Sequence, residues 1–265
     1  MHFISGLPRA GSTLLAGILS QNPKFHALGI TSPVGELFAY AVRAMGANNE
    51  NYSLLGMRKR AAILRSIYEG HYFDVPGDKI ILDTSRFWCS QMGLVAKVFP
   101  QAKVLVCVRE PAWIFNSIER ALRKHPLIMS KIYPAESAAN IYSRADHCAH
   151  PVHGLLGFAW HSTKEAWFGE YRNRLLIIEY DRLASDPARV IEEVYGFLEL
   201  EPYKHDFNNV ALKTAETAMT FDWVLGVPGL HALRPKVEPV PEPSVVPPDL
   251  YLKLSWPCFW RGDSK

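Results

Sequence analysis

Residues 2–15 read HFISGLPRAGSTLL, and this stretch decides the fold. Its first four residues, His2 to Ser5, form an apolar run without the two-residue alternation of a half-exposed strand, so they predict a strand buried on both faces. Two glycines, Gly6 and Gly11, then bracket a loop, and a helical pattern follows from Ser12 to Gln21. A buried strand, a glycine-rich loop and a helix in this order predict an α/β fold with a parallel sheet.

The same alternation continues along the chain. Three more short apolar runs predict buried strands, at Ile80 to Leu82, Lys103 to Val108 and Leu175 to Ile178. Helical patterns separate them, at Pro33 to Met45, Met57 to Tyr72, Pro111 to Lys124, Leu155 to Tyr171 and Pro187 to Leu198. Because crossovers between parallel strands are right-handed, we expect a three-layer architecture with helices on both faces of the sheet.

Composition narrows the class of protein. The 265 residues are 48% hydrophobic and 21% charged, which is typical of a soluble globular chain. No apolar run approaches the roughly 20 residues that span a bilayer, and no basic leader precedes the first strand, so we expect a cytoplasmic protein without a membrane span. Four scattered cysteines indicate reduced thiols rather than a disulfide framework. A net charge of +3 argues against nucleic-acid binding but suits a pocket for an anion.

The chain divides into a main domain and a tail. Residues 1–234 hold all the predicted strands and helices, and within them residues 125–153 lack a clear period and are long for a simple connection, which favours an excursion that faces a substrate. Residues 235–265 begin with six prolines between Pro235 and Pro248, so we expect an extended segment, rather than a core helix, packed on the same domain.

The first loop has the glycine spacing of a Walker A motif. The backbone amides of its last residues, together with the amino terminus of the following helix, predict an anion site; the loop residues concerned are Arg9, Ala10, Gly11, Ser12 and Thr13. The Walker lysine is replaced by Ser12, and Arg9 supplies the cation instead. A guanidinium can fork across the oxygens of a phosphosulfate, and this arrangement requires no metal.

A second motif follows the strand at Lys103 to Val108, where Arg109 and Glu110 precede a helix that carries Ser117. A guanidinium and a hydroxyl on these two elements can converge on a dianion. An arginine at the end of a strand is equally common as a partner in a surface ion pair, so the motif alone leaves both interpretations open.

Taken together, these motifs resemble the sulfotransferase superfamily, and most closely the bacterial relatives of the tyrosylprotein sulfotransferases. The resemblance implies a donor, 3′-phosphoadenosine 5′-phosphosulfate (PAPS), whose product is adenosine 3′,5′-bisphosphate (PAP). It assigns the Arg9 to Thr13 loop to the 5′-phosphosulfate, and Arg109 with Ser117 to the 3′-phosphate. Tyr180 is similar to a family tyrosine beside the adenine, although a tyrosine covering the sheet edge is an equal alternative. The segment from Leu233 to Lys236 resembles the late basic segment of the family that closes over the nucleotide, and Arg234 or Lys236 would do this.

The resemblance also implies a base for the acceptor hydroxyl, and Glu36 is the candidate, with His26 in reserve. A glutamate that favours the first turn of a helix explains Glu36 equally well. Arg86 lies near, but out of register with, a basic residue of the family that stabilises charge on the transferring group. Asp83 or Ser85 is a candidate for orienting the acceptor.

The acceptor is expected to be a small molecule or peptide that bears a hydroxyl group, such as a tyrosine, another phenol, a lipid or a glycan. Two other functions stay open. A P-loop nucleotide phosphotransferase of the kinase type would use Asp83, which follows the strand at Ile80 to Leu82, to help hold magnesium. The missing Walker lysine counts against it. A protein that binds PAP or PAPS without turnover is the second. Histidines between His147 and His153 suggest a metal site, but their spacing matches no closed zinc pattern.

Overall fold

Five parallel strands form one sheet at the centre of the protein. The computed structural model describes residues 1–241 and 243–262. The strands are β1 (His2–Gly6), β2 (Phe25–Ala27), β3 (Ile80–Thr84), β4 (Val104–Val108) and β5 (Leu175–Glu179). They lie in the order β2-β3-β1-β4-β5, and every neighbouring pair is parallel. The expected α/β class with a central parallel sheet is confirmed, while β2 is a strand that the sequence pattern did not predict.

Helices connect the strands. Within the described residues they are α1 (Ser12–Leu19), α2 (Val34–Ala44), α3 (Met57–His71), α4 (Phe87–Ser90), α5 (Met92–Val98), α6 (Pro111–Arg123), α7 (Ile141–Ala149), α8 (Leu155–Phe168), α9 (Tyr180–Ser185), α10 (Pro187–Leu198), α11 (Ala215–Leu225) and α12 (Pro248–Leu254). Short 3-10 turns lie at Glu50–Leu54, Ala135–Ser137, Arg172–Arg174 and Phe259–Arg261. None of the helices in this part of the chain has the length and apolar character needed to cross a membrane.

The two faces of the sheet are covered by different helices. Phe3 of β1 packs on one face against Trp88, with ring centroids 4.3 Å apart, and also against Tyr68 and Phe99. Side chains alternate along a strand, so the fully buried Ile4 points to the other face. Because crossovers are right-handed, α1, which leads away from β1 toward β2, lies on the face opposite α4 and α5, which lead to β4. The result is the expected three-layer arrangement.

The region 125–153 carries a helix, α7, which the sequence pattern missed. Asn140 caps it by accepting hydrogen bonds from the backbone N–H groups of Tyr142 and Ser143. The helix is fixed to α6 by a bidentate ion pair, in which Arg144 donates to both oxygens of the fully buried Glu119 at 2.8 and 2.6 Å. Because that carboxylate is buried, its pairing with Arg144 holds the region against the main domain.

The tail after Pro235 runs back along the domain. The backbone N–H of Val210 donates to the carbonyl of Pro235 at 2.7 Å, and that of Val237 donates to Phe207 at 2.8 Å. The extended course expected for residues 235–265 stops at Pro248, where α12 begins and packs on α6. A proline is tolerated there because the first turn of a helix leaves its N–H groups unbonded. The tail therefore does add a helix whose leucines are buried, Leu250 and Leu254.

Candidate active site

A cavity of about 790 Å³ opens at the carboxyl ends of the central strands. Its walls come from the loops after β1, β3 and β4, together with parts of the regions 125–153 and 221–240. The connections that follow β1 and β4 lead in opposite directions along the sheet, toward β2 and β5, so a crevice is expected between these two strands. The size of the cavity suits a small organic ligand.

The loop after β1 is shaped as an anion cradle. Gly6 has φ +107°, and a Cβ at this position would lie 2.2 Å from the carbonyl oxygen of Cys107, so only glycine allows the loop to turn here. Leu7 N–H donates to the same carbonyl at 2.8 Å. Gly11, with φ +91°, then starts α1. The amino terminus of α1 therefore faces the cavity, which Gly11, Ser12 and Thr13 line.

Two loop residues, Ala10 and Thr13, contribute less than their expected roles suggested. Ala10 is fully buried in the core and does not appear among the cavity-lining residues of the described chain, so it can offer a ligand only its backbone. The hydroxyl of Thr13 donates to the carbonyl of Gly29 at 2.8 Å. Its proton is thereby committed to the fold, and the N–H of Thr13 is the donor left for an anion.

Arg9 connects the first loop to the second motif. Its Nε donates to Ser117 Oγ at 3.3 Å, and its Nη1 donates to the carbonyl of Leu230. Arg9 has φ +55°, a left-handed conformation that is uncommon for a residue with a side chain. Strain of this kind persists only where the surroundings hold it, and here Ser117 and Leu230 hold the guanidinium at the wall of the cavity.

Arg109 lies on the cavity wall directly after β4. Its guanidinium stacks over the ring of Tyr180, with Cζ 4.3 Å from the ring centroid. The same ring lies under the first loop, because a Cβ on Gly11 would be 3.0 Å from it. Arg109 Nε is buried and has no hydrogen-bond partner among the described residues. A buried donor without a partner costs about 1–3 kcal/mol, so a ligand that accepts this hydrogen bond would be favoured here.

Asp83, near the end of β3, is a buried carboxylate that does not line the cavity. Asp83 is fully buried and accepts hydrogen bonds from Ser32 Oγ at 2.6 Å, Tyr72 OH at 2.7 Å and Trp88 Nε1 at 2.7 Å. Burial raises the pKa of Asp83, while these three donors act in the opposite sense. With its oxygens occupied, Asp83 is not placed to orient an acceptor or to hold a magnesium ion.

The residues after Asp83 do reach the cavity. Thr84, Ser85 and Arg86 line it. The Oγ1 atom of Thr84 is buried and makes no hydrogen bond within the described residues, whereas Ser85 Oγ accepts from the N–H of Phe87 at 3.3 Å. Arg86 is half-buried, and burial lowers the pKa of its guanidinium. Thr84 and Arg86 thus present polar groups to a ligand beside the first loop.

The two candidates for the base are differently placed. Glu36 lines the cavity from the first turn of α2 and is exposed. His26 lies in β2, with its ring edge-on to Tyr72 at 5.8 Å, and is not one of the residues that line the cavity. Burial lowers its pKa. The structure thus brings Glu36, but not His26, to the candidate site.

The late basic segment borders the cavity from the outside. Arg234 and Lys236 both line it and both are exposed. Lys236 forms an ion pair with Glu238, in which Nζ lies 2.5 Å from the carboxylate. An exposed pair of this kind is weak, so Lys236 can exchange its partner for a ligand at little cost.

His231 enters the cavity from the same segment. Its backbone N–H donates to Asp222 Oδ2 at 2.9 Å, and its Nδ1 lies 2.5 Å from Asp222 Oδ1. Asp222, on α11, is 1% exposed, and His231 lines the cavity. Burial lowers the pKa of His231, the hydrogen bond to Asp222 raises it, and the positive charges of Arg9 and Arg86 lower it further.

Comparison with known proteins decides the family. A model described as the sulfotransferase family matches residues 2–205, which is 204 of the 265 residues. The chain belongs to the sulfotransferase family. The superfamily resemblance that the first loop and the Arg109 motif carried is therefore confirmed.

The curated and solved relatives are distant in sequence. The nodulation protein NoeE of Sinorhizobium fredii (strain NBRC 101917 / NGR234) is 23% identical over 223 residues, which cover 76% of this chain and 50% of that protein. The chain thus spans about half the length of this curated relative. The sulfotransferase domain of the Synechococcus PCC 7002 olefin synthase is 17% identical, with a TM-score of 0.57 over 100% of this chain and 95% of that domain. A sulfotransferase from Alicyclobacillus acidocaldarius is 18% identical, with a TM-score of 0.52 over 83% of this chain and 90% of that protein. At these identities the solved structures support the shared fold.

The histidine cluster of this sulfotransferase is not arranged as a metal site. His150 and His153 stack at 3.5 Å between ring centroids, and Cys148 is fully buried. Across residues 1–241 and 243–262, no three His, Cys, Asp or Glu side chains are grouped to hold a metal ion. Of these residues, His153 lines the cavity.

Sequence reasoning missed three side chains of the candidate site, namely Thr84 and His231, which line the cavity, and Asp222, which holds His231. Thr84 follows Asp83, and a carboxylate is the stronger sequence signal for a functional site than a hydroxyl. Asp222 and His231 are nine residues apart and belong to no motif. Their contact forms because the loop after α11 turns back and brings His231 beside Asp222. The only sequence signal was the position of His231 three residues before Arg234.

Proposed function

We propose that this sulfotransferase moves a sulfuryl group from PAPS to a hydroxyl group of an acceptor. The observation that carries the proposal is Arg109, whose buried Nε lacks a partner among the described residues while its guanidinium stacks on Tyr180 beside the first loop. One anion fits the cradle of that loop. A second anion fits Arg109, and PAPS has both, since its 3′-phosphate is separate from its phosphosulfate.

The donor site follows from this assignment. The N–H groups of Gly11, Ser12 and Thr13 hold the 5′-phosphate at the start of α1. Ser117 assists Arg109 at the 3′-phosphate, and the Tyr180 ring lies beside the adenine. Arg234 and Lys236 close over the nucleotide from the exposed side. Both side chains are exposed and line the cavity, which suits that role.

The transfer itself needs positioning and charge stabilisation. An acceptor oxygen attacks sulfur in line with the leaving phosphate oxygen, so one O–S bond forms while the S–O bond to the 5′-phosphate breaks, and PAP leaves. Arg9 and Arg86 are proposed to stabilise the charge that develops on the transferring group and on the leaving oxygen. Glu36, exposed at the cavity, is the base that the family resemblance suggests for the acceptor proton.

The walls of the cavity indicate the kind of acceptor. Apolar side chains contribute much of the lining, namely Phe87, Ile132, Leu155, Phe158, Phe221 and Leu225. Such a lining favours a hydroxyl carried on an aromatic or aliphatic body over one on a glycan, because a glycan would bury polar groups without partners. Residues Ile132 and His153 come from the region 125–153, which supports its role on the acceptor side.

A label-transfer assay tests the proposal. The protein is incubated with PAPS carrying ³⁵S and with a panel of phenols, aliphatic alcohols, tyrosine peptides and glycans. We expect label on phenols or apolar alcohols, and a KM for PAPS about tenfold higher in Ser117→Ala, since one hydrogen bond to a charged phosphate contributes about 1.5 kcal/mol. Ser185→Ala, which removes an exposed hydroxyl on α9, is the matched control. Binding of PAP without transfer to any acceptor would favour a non-catalytic protein, and transfer of the γ-phosphate of ATP would overturn the proposal.

A further inference from the structure

His231 is held in one orientation by a buried carboxylate. Asp222 accepts from both the backbone N–H and Nδ1 of His231, at 2.9 and 2.5 Å. A carboxylate of this kind can only accept hydrogen bonds, so the proton of the neutral imidazole belongs on Nδ1. The lone pair then lies on Nε2, which has no hydrogen-bond partner among the described residues. The ring therefore presents a base, not a donor, on the side away from Asp222.

The position of this pair connects it to the transfer site. His231 lines the cavity, and the carbonyl of the preceding Leu230 accepts a hydrogen bond from Arg9. Arg9 and Arg86 are close enough to disfavour a positive charge on the imidazole. Both arginines are assigned to the transferring group, so His231 lies near the place where an acceptor oxygen must approach sulfur.

Burial, helped by two nearby arginines, lowers the pKa of His231 and so favours the neutral ring at neutral pH. Burial is the main influence that lowers its pKa from 6.5, and Arg9 in the first loop and Arg86 after β3 act in the same direction. Asp222 on α11 opposes them. A base with a lowered pKa is unprotonated, and so competent, above that pKa, and it loses competence as the pH falls through it.

We propose that His231, oriented by Asp222, is the general base of this enzyme, an inference that rests on the proposed sulfuryl transfer. The acceptor hydroxyl donates to Nε2; as its oxygen bonds to sulfur, the proton moves to Nε2 and gives an imidazolium opposite Asp222. The electron pair of the breaking S–O bond leaves with the 5′-phosphate of PAP. Asp222 acts as a positioning residue that fixes the tautomer and stabilises the imidazolium.

Glu36 competes with His231 for this role, and the two differ in how they are held. Glu36 is exposed at the first turn of α2, and no hydrogen bond in the described structure fixes its carboxylate, whereas His231 is tied at two atoms. Catalysis by a base requires a fixed distance to the acceptor, so the restrained side chain is favoured.

Substitution of His231 by asparagine separates catalysis from structure. The asparagine amide can still donate to Asp222, so the loop keeps its anchor, but the base is lost. We expect kcat in His231→Asn to fall about 10²–10⁴-fold, with the Kd for PAP unchanged within about threefold. In the wild type, kcat/KM for the acceptor should fall with acid at a pH below 6.5, and this limb should be absent from His231→Asn. His161→Asn, on an exposed histidine of α8, is the control.

Two further variants complete the test. Asp222→Asn should lower kcat while PAP still binds, because an amide that donates to Nδ1 would place the proton on Nε2. Glu36→Gln should retain the acid limb of the pH profile. Wild-type kcat in His231→Asn, or loss of the limb in Glu36→Gln alone, would overturn the assignment of the base while leaving the transfer reaction intact. Absence of transfer by the wild type itself would overturn both proposals.

Discussion

Arg9→Gly should lower kcat for sulfuryl transfer about 10³-fold while changing the free energy of unfolding by no more than about 1 kcal/mol. The loss of activity follows from removing the guanidinium proposed to stabilise charge on the transferring group. The small effect on stability has two opposing causes. Glycine relieves the left-handed backbone at φ +55°, whereas the hydrogen bonds from Arg9 to Ser117 and Leu230 are lost.

Steady-state kinetics and chemical denaturation check this expectation together. Arg9→Lys should retain more activity than Arg9→Gly, because it keeps the charge but not the planar fork. Arg58→Ala, on the exposed side of α3, is the control for removal of a positive charge. Activity of Arg9→Gly within tenfold of the wild type would show that the guanidinium takes no part in the transfer.

Asp83→Ala should lower the free energy of unfolding by about 4 kcal/mol, a large share of the stability of a typical domain. The substitution leaves the hydroxyls of Ser32 and Tyr72 and the indole N–H of Trp88 buried without their acceptor. Each of these donors bears a desolvation cost when it loses its partner. Since Thr84 and Arg86 follow directly, the same change should disturb the wall of the active site.

Urea denaturation measures this loss, and two comparisons sharpen it. Asp83→Asn keeps one acceptor oxygen and should cost less than Asp83→Ala. Asp249→Ala, an exposed aspartate at the start of α12, should change the free energy of unfolding by less than about 0.5 kcal/mol. A cost of Asp83→Ala equal to that of Asp249→Ala would mean that the three hydrogen bonds contribute little net stability.

The elements that sequence patterns predicted are the ones whose signal is local. Strands β1, β3, β4 and β5 are apolar runs buried on both faces, and their predicted bounds differ from the structure by at most a few residues. Strand β2 has three residues, too few for a pattern, and forms only because β3 lies beside it. The short helices α4 and α5 were missed for the same reason.

Other misses have a different physical cause. Helix α7 begins with a capping box at Asn140, but the stretch around this start signal has no clear period to mark a helix. Helix α12 begins at Pro248, where a run of prolines suggested only extended chain. In both cases a local start signal existed, and composition over a longer window obscured it.

The proposed donor side of the site was more predictable than the proposed acceptor side. Gly6 and Gly11 are required by backbone geometry, so their spacing survives as a motif in the sequence. The Asp222 and His231 pair is a tertiary contact, and neither residue in the sequence predicts that the other lies beside it. Likewise, the commitment of the Thr13 hydroxyl to Gly29 depends on a loop that folds back over α1.

Calorimetric titration with PAP tests the central claim most directly. Wild-type protein and Arg109→Ala are each titrated with PAP and, separately, with ATP plus magnesium, and Arg58→Ala is the control. We predict micromolar or tighter binding of PAP, weakened about 100-fold in Arg109→Ala because a charge-assisted contact to the 3′-phosphate is lost, and feeble binding of ATP. Preference for ATP over PAP, with affinities indifferent to Arg109, would contradict the account.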